Sequence, residues 1–481
     1  MNDNVVDLDF PLVQLSEKDR WTVRDAFEGT MVLGGTGSGK TSGSGHTFAN
    51  AFLQAGFGGL VLTAKPDELA EWRSWASACG REDQLLVVHP AKPWYFDFME
   101  YEARRDNGSD TQTMVSLFML IIEIANEGSI QSQETYWLLA LRQMLRNAID
   151  MLKCAGELIT VETLYRLIVS APTSVSRLGS EDWQQDSYCF RCLNTATDHY
   201  EALSDQPDGI AKPVHFDDFD IAFLYWTNEF PNLAEKTRSI IVSMFTTTAD
   251  AFLRGTLKRL FVTDQNKQPA PPELARQGAI IVMDLNIKEH EDVGRIAQGV
   301  YKLMFQKANE RQVASDSTPG VFLYADECQF FLNSYDLAFQ QTARSSRIAS
   351  FYLSQTLSNF HVGLGERGEQ KANALLGNLS TKIFHANPDT TTNEWSAKLI
   401  GEDWSLQSSS TSSFDQQDEA RMSTNLSEQR RYIIEPIAFT QLQRGGQPYD
   451  YTVSALMHQV GRTWSTGDNY LEVFFQQSQS Q

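Results

Sequence analysis

Gly34-Gly35-Thr36-Gly37-Ser38-Gly39-Lys40-Thr41 fits G-x-x-x-x-G-K-[ST], with the apolar run Thr30-Met-Val-Leu33 before it and a segment able to start a helix after it. Each residue type in that spacing has a physical reason. Glycines let successive backbone N–H groups turn inward around a phosphate without Cβ clashes, and the helix N-terminus adds partial positive charge. The pattern therefore assigns Gly35, Thr36, Gly37, Ser38, Gly39, Lys40, Thr41 and Ser42 to a triphosphate cradle. Lys40 is expected at the β- and γ-phosphates, and Thr41 is expected to present its hydroxyl to Mg²⁺.

Outward from the cradle, short apolar runs recur at Gly59–Thr63, Gly278–Met283, Gly320–Tyr324, Ser350–Ser354 and Lys382–His385, alternating with amphipathic stretches. Such runs predict a mostly parallel sheet buried on both faces, so the fold class is α/β, a P-loop (RecA-like) core flanked by helices. Between about Ser109 and Lys258 strand signals fade, and helical periodicity takes over, as in Met114, Phe118, Ile121 and Ile122. The expected organisation is a discontinuous nucleotide-binding domain over 1–105 and 265–481 with an all-α insertion over 106–264. The Ser-rich stretch, with the polar residues after it (405–428), is too poor in apolar residues to bury itself and is expected to be a flexible loop.

Composition bounds the partners. With 481 residues, 42% of them hydrophobic, the chain can fill a sizeable core. Its 40 basic and 61 acidic residues leave a formal charge of −21, which excludes a surface basic all round and confines any DNA contact to a local patch. The longest apolar stretch, Met114–Ala125, already contains Glu123 and falls short of the roughly 20 residues of a membrane span. With no secretory leader visible, a cytoplasmic location is expected. Five cysteines, including Cys189 and Cys192 in a C-x-x-C, lack the second ligand pair of a zinc site and read as ordinary reduced thiols.

A cradle needs an acidic partner at the end of a neighbouring strand. Two strand ends qualify, Asp284 and the pair Asp326-Glu327. The pair supplies more chemistry, Asp326 for the Mg²⁺ shell and Glu327 to polarise an attacking water, and is favoured; Asp284 is the fallback. Gln355, at the tip of the run Ser350–Ser354, is suited to sensing a γ-phosphate. Arg344, with Arg347 second, is the candidate for a finger inserted into a neighbouring subunit's site.

Taken together, the cradle, Asp326-Glu327, Ala343-Arg344, Leu353-Ser354-Gln355-Thr356-Leu357, Leu376-Gly377-Asn378 and Ser427-Glu428-Gln429-Arg430-Arg431 resemble the coupling-protein ATPases of type IV secretion and conjugation, the TraG/TraD family, within the FtsK/HerA class of motors. The resemblance implies a homo-hexameric ring that binds ATP and Mg²⁺, hydrolyses ATP between subunits and moves DNA, or a nucleoprotein or protein substrate, through its channel. It implies Arg344 as the finger donated in trans and Gln355 as the sensor. Relaxase and membrane-anchored secretion components are the partners it implies, with recruitment to the inner face of the cell membrane, since no membrane-spanning helices precede the cradle as they do in typical members. Thr63-Ala-Lys65-Pro-Asp67-Glu68 only loosely echoes the family's D-P-K-G-E and is given no role. Two other readings stay open: a HerA/FtsK-like translocase working with a nuclease, and a non-hydrolysing, nucleotide-bound adaptor. The segment Glu181–Glu235 holds twelve acidic residues against Arg191 and Lys212, with interleaved aromatics, and suits either a solvated domain edge or a dock for basic partners.

Overall fold

The computed structural model describes residues 6–105, 110–126, 135–204, 216–414 and 420–478. Nine strands form the central sheet: β1 (Thr30–Leu33), β2 (Gly58–Leu62), β3 (Leu85–Val88), β4 (Ile280–Met283), β5 (Val321–Ala325), β6 (Ile348–Ser354), β7 (Thr381–Phe384), β8 (Thr452–Gln459) and β9 (Tyr470–Gln476). Their order across the sheet is β9-β8-β7-β1-β6-β5-β2-β4-β3. Every pair from β7 to β3 is parallel, and at the other edge β8 runs antiparallel to both β7 and β9.

The apolar runs are continuous because both faces are covered, yet alternate residues enter different cores. Phe322 and Tyr324 of β5 join Phe48 and Phe52 of the helix His46–Gln54 and Trp72 and Trp75 of the helix Glu68–Ala78. Leu323 and Ala325 point the other way, into a larger cluster with Tyr301 and Met304 of the helix Ile287–Glu310. That second cluster continues without a break into the helical part of the chain, through Met114, Phe118 and Ile121 to Leu141 and Leu145. Helices run from Thr111–Ala125 to Gly255–Phe261, and the two-residue strands Trp94–Tyr95 and Gln268–Pro269 pair in parallel where the chain leaves and returns.

The Ser-rich stretch differs from expectation. Glu402–Phe414 and Ala420–Tyr432 pair over 13 residues each as an antiparallel ribbon; residues 415–419 between them lie outside the described residues. Scarcity of apolar residues argues against burial but not against a ladder, in which backbone groups satisfy one another. Cross-strand contacts add to it. Trp404 lies opposite Arg430, whose guanidinium sits 5.3 Å from the ring centroid, and Leu406 is diagonal to Leu426.

Candidate active site

Strand order builds the site. Because β6 lies between β1 and β5, the carboxyl ends of these three strands bring the cradle, Gln355 and Asp326-Glu327 side by side. Asp284 ends β4, with β2, β5 and β6 between it and β1, a lateral separation of roughly 19 Å at strand spacing. It therefore stands apart from the cradle. Nor does it cap the next helix, since Asn286 does that by accepting from the Glu289 amide at 3.1 Å.

The cradle turns at Gly37 (φ 69°) and Gly39 (φ 80°), both in the left-handed region. At Gly39 a Cβ would also lie 2.3 Å from Val453 Cγ1 of β8, so the antiparallel edge props the loop from behind. The chain then enters a helix through one wide turn, Thr41–Gly45, and continues as His46–Gln54. Lys40 is buried and its Nζ donates to Glu327 Oε1 at 3.2 Å. Thr41 Oγ1 donates to Asp326 Oδ2 at 2.8 Å. Gln355 closes the circuit, its Nε2 donating to Glu327 Oε1 at 3.0 Å and its Oε1 accepting from Thr36 Oγ1 at 3.2 Å. Glu327 itself sits in the left-handed region (φ 47°, ψ 48°), a strained conformation for a side-chain-bearing residue and one that concentrates at functional sites. The cradle, Glu327 and Gln355, with Lys65, Asp67, Glu68 and Glu71, line a cavity of about 230 Å³.

Several lining groups carried no role in the sequence reading. Lys65 Nζ donates to Asp326 Oδ2 at 2.8 Å and stands 3.7 Å from Glu68 Oε1. Burial alone would depress its ammonium, but the Asp326 charge, helped by Glu68 and Glu327, holds it above the ordinary lysine range. Burial likewise disfavours an ionised Asp326, yet Lys40 and Lys65 outweigh that and keep its carboxyl below the usual range. Glu68 goes the other way. Its burial, with Asp326 nearby, pushes it well up, and Glu71, desolvated and close to Asp67, is raised to about 7. The signal for Lys65 lay in Thr63–Glu68, directly after β2 and hence beside β5. Arg444 Nη2, which donates to Thr36 O at 2.7 Å, and Gln477 Nε2, which donates to Ser42 Oγ at 2.8 Å, arrive from the far end of the chain and left no local signal.

The finger candidates lie elsewhere. Arg344 precedes β6, at the end of the sheet opposite the cradle; its side chain is 62% exposed and pairs with Glu28 at 3.0 Å. It lies outside its own cradle. Arg347 is tied into its own chain, with Nη1 donating to Asp316 O at 3.0 Å and Nη2 to Asp316 Oδ1 at 3.1 Å.

Residues 320–444, which include Asp326, Glu327, Arg344 and Gln355, match the family described as "TraM recognition site of TraD and TraG". Among solved structures, the bacterial conjugative coupling protein TrwBdeltaN70 in its unbound monoclinic form superposes with a TM-score of 0.62 at 14% identity, over 99% of this chain and 91% of that one. The plasmid coupling protein TrwB in complex with the ATP analogue ADPNP gives 0.60 at 13% identity, over 99% and 93%. The same protein with ADP and Mg²⁺ gives 0.54 at 12%, over 96% and 87%. At these identities the likeness is one of fold, and the fold is the expected sheet of a P-loop protein flanked by helices. No curated protein sequence matches.

Proposed function

We propose that this chain is an ATP-hydrolysing motor of a conjugation or type IV secretion system, coupling turnover to movement of DNA or a nucleoprotein through a homo-hexameric ring. One observation carries the reading: the phosphate cradle, a paired carboxylate and a polar strand-tip residue converge in a single pocket, linked by the hydrogen bonds of Lys40, Thr41 and Gln355. The family match over 320–444 and the fold shared with TrwB support the conjugative context over a nuclease-associated one.

In this reading Lys40 and the backbone N–H groups of the cradle hold the β- and γ-phosphates of ATP. Thr41 and Asp326 would hold Mg²⁺, and their hydroxyl and carboxylate oxygens are the hard donors that ion prefers; bound there, it spreads the charge of the transferring phosphoryl group. The Lys65 ammonium, seated on the same Asp326 oxygen, supports a cation position there. Glu327 orients and polarises the water, Gln355 reports the γ-phosphate to the segment that follows it, and Arg344 acts on the next subunit's nucleotide. No helix among the described residues is long and apolar enough to cross a membrane. A partner of the TraM kind fits the matched region.

The test is steady-state ATP turnover of the purified chain with and without single- and double-stranded DNA, with particle size measured in parallel. Turnover that rises with DNA and with assembly, and vanishes in Lys40→Ala, is expected. Nucleotide binding without turnover under all conditions would favour the adaptor reading instead.

A further inference from the structure

Glu327 is held by more than the pocket requires. Its Oε1 accepts from both Lys40 and Gln355, the two groups whose partner in the proposed function is phosphate. When ATP recruits them, Oε1 is released to face water. Its Oε2 is held differently. Gln329 Nε2 donates to it at 3.0 Å, and Gln329 Oε1 in turn accepts from the hydroxyl of Ser354 at 2.8 Å. Ser354 is fully buried at the end of β6, immediately before Gln355, and Gln329 lies in the short turn Cys328–Phe330. The amide is thus fixed at both ends, pointing its donor at the carboxylate.

We infer that Gln329 is a positioning residue: it anchors one oxygen of Glu327 throughout the cycle so that the other, once freed by nucleotide, is aimed at the attacking water. The backbone around it fits the assignment. Glu327 adopts a left-handed backbone conformation, which persists only where the surrounding structure holds it. Gly363, at the end of the helix Leu357–Gly363 that follows Gln355, abuts Gln329 so closely that a Cβ there would sit 2.4 Å from the Gln329 carbonyl oxygen. A cavity of about 400 Å³ lies beside the two, walled by Gln329, Phe330, Asn359, Val362 and Gly363. Ser354 and Glu327 are the hydrogen-bond partners that orient this amide.

The inference rests on the hydrolytic reading, and its test separates the two. Turnover, KM and equilibrium ATP affinity are measured on the full chain for Gln329→Met, Gln329→Glu, Ser354→Ala and the double variant Gln329→Met/Ser354→Ala. Gln329→Met keeps length and bulk but cannot donate, and kcat should fall about tenfold with KM and affinity within twofold of wild type. Gln329→Glu, the same shape without the donor, should lose at least as much. Ser354→Ala should lose about threefold, and the double variant no more than Gln329→Met alone, because the hydroxyl acts only through the amide. Additive losses, or a Gln329→Glu variant with wild-type kcat, overturn the assignment while leaving hydrolysis standing. A wild-type chain with no turnover overturns the hydrolytic reading and this inference with it.

Discussion

Removing Lys65 should strengthen, not weaken, the grip of the pocket on a divalent cation. Its ammonium lies 2.8 Å from Asp326 Oδ2, the same oxygen to which Thr41 donates, so ammonium and Mg²⁺ compete for one position. Breaking a buried ion pair by deleting one partner costs about 3–5 kcal/mol. Here the Lys65 side chain is 29% exposed and Lys40 still faces Asp326, so about 2 kcal/mol is a fair share. In Lys65→Met that strain is relieved when a cation binds, which corresponds to an affinity gain of up to about 30-fold. Calorimetric titration of Mg²⁺ into nucleotide-free wild type and Lys65→Met measures it directly. Thermal midpoints with and without 10 mM-scale Mg²⁺ provide a second reading, since a ligand that binds only the folded chain raises the midpoint by mass action. The variant should melt lower than wild type without Mg²⁺ and recover most of the difference with it. Equal Mg²⁺ affinity in the two proteins, or weaker affinity in the variant, would refute the idea that Lys65 occupies the cation position.

Other consequences follow from the same geometry. Arg344→Ala should load ATP normally and lose turnover, and mixing it with Lys40→Ala should restore some activity, because rings then contain sites with an intact cradle beside an intact arginine; no recovery at any mixing ratio speaks against action in trans. Glu71, raised to about 7 by burial and by Asp67, gains negative charge beside the cradle as pH rises from 6 to 8, so ATP affinity should fall roughly three- to tenfold more in wild type than in Glu71→Gln; parallel pH curves would dismiss it. Lys302 and Asp336 form a fully buried pair at 2.7 Å that ties the helix Ile287–Glu310 to the first turn of the helix Tyr335–Thr342. Lys302→Met should cost about 3–5 kcal/mol in denaturant titration, and the double variant Lys302→Met/Asp336→Leu should recover much of it. A double variant as unstable as the single one would contradict that.

What the sequence made legible is what is encoded over a few residues. The glycines and lysine of Gly34–Thr41 dictate a local backbone path, and an apolar run ending in Asp326-Glu327 identifies a strand and its tip. The chemistry of the pair favoured it over Asp284, but setting Asp284 aside took the order of strands, which is set by pairing partners distant in sequence. Long-range contacts account for most of what was missed. Arg444 and Gln477 reach the cradle because β8 and β9 add to the sheet beside β7, which no nearby pattern announces. Lys65 was visible only as a departure from a motif, and Gln329 as one polar residue among many. The ribbon of Glu402–Tyr432 was misread for a different reason: hydropathy registers burial, whereas a ladder is held by backbone groups that every residue carries.

The central claim is that Lys40, Thr41, Asp326 and Glu327 form one hydrolytic pocket, and Glu327→Gln isolates it. Swapping a carboxylate for its amide changes almost no volume and removes the charge; because Lys40, Gln355 and Gln329 all donate to this group, the amide keeps only the contacts made to one of its two ends. Binding of Mg-ATP and its turnover, measured on the same samples of both proteins, should show affinity within about threefold and turnover reduced at least 100-fold in the variant. Undiminished turnover in Glu327→Gln, or a wild-type chain that fails to bind Mg-ATP at all, would contradict the account.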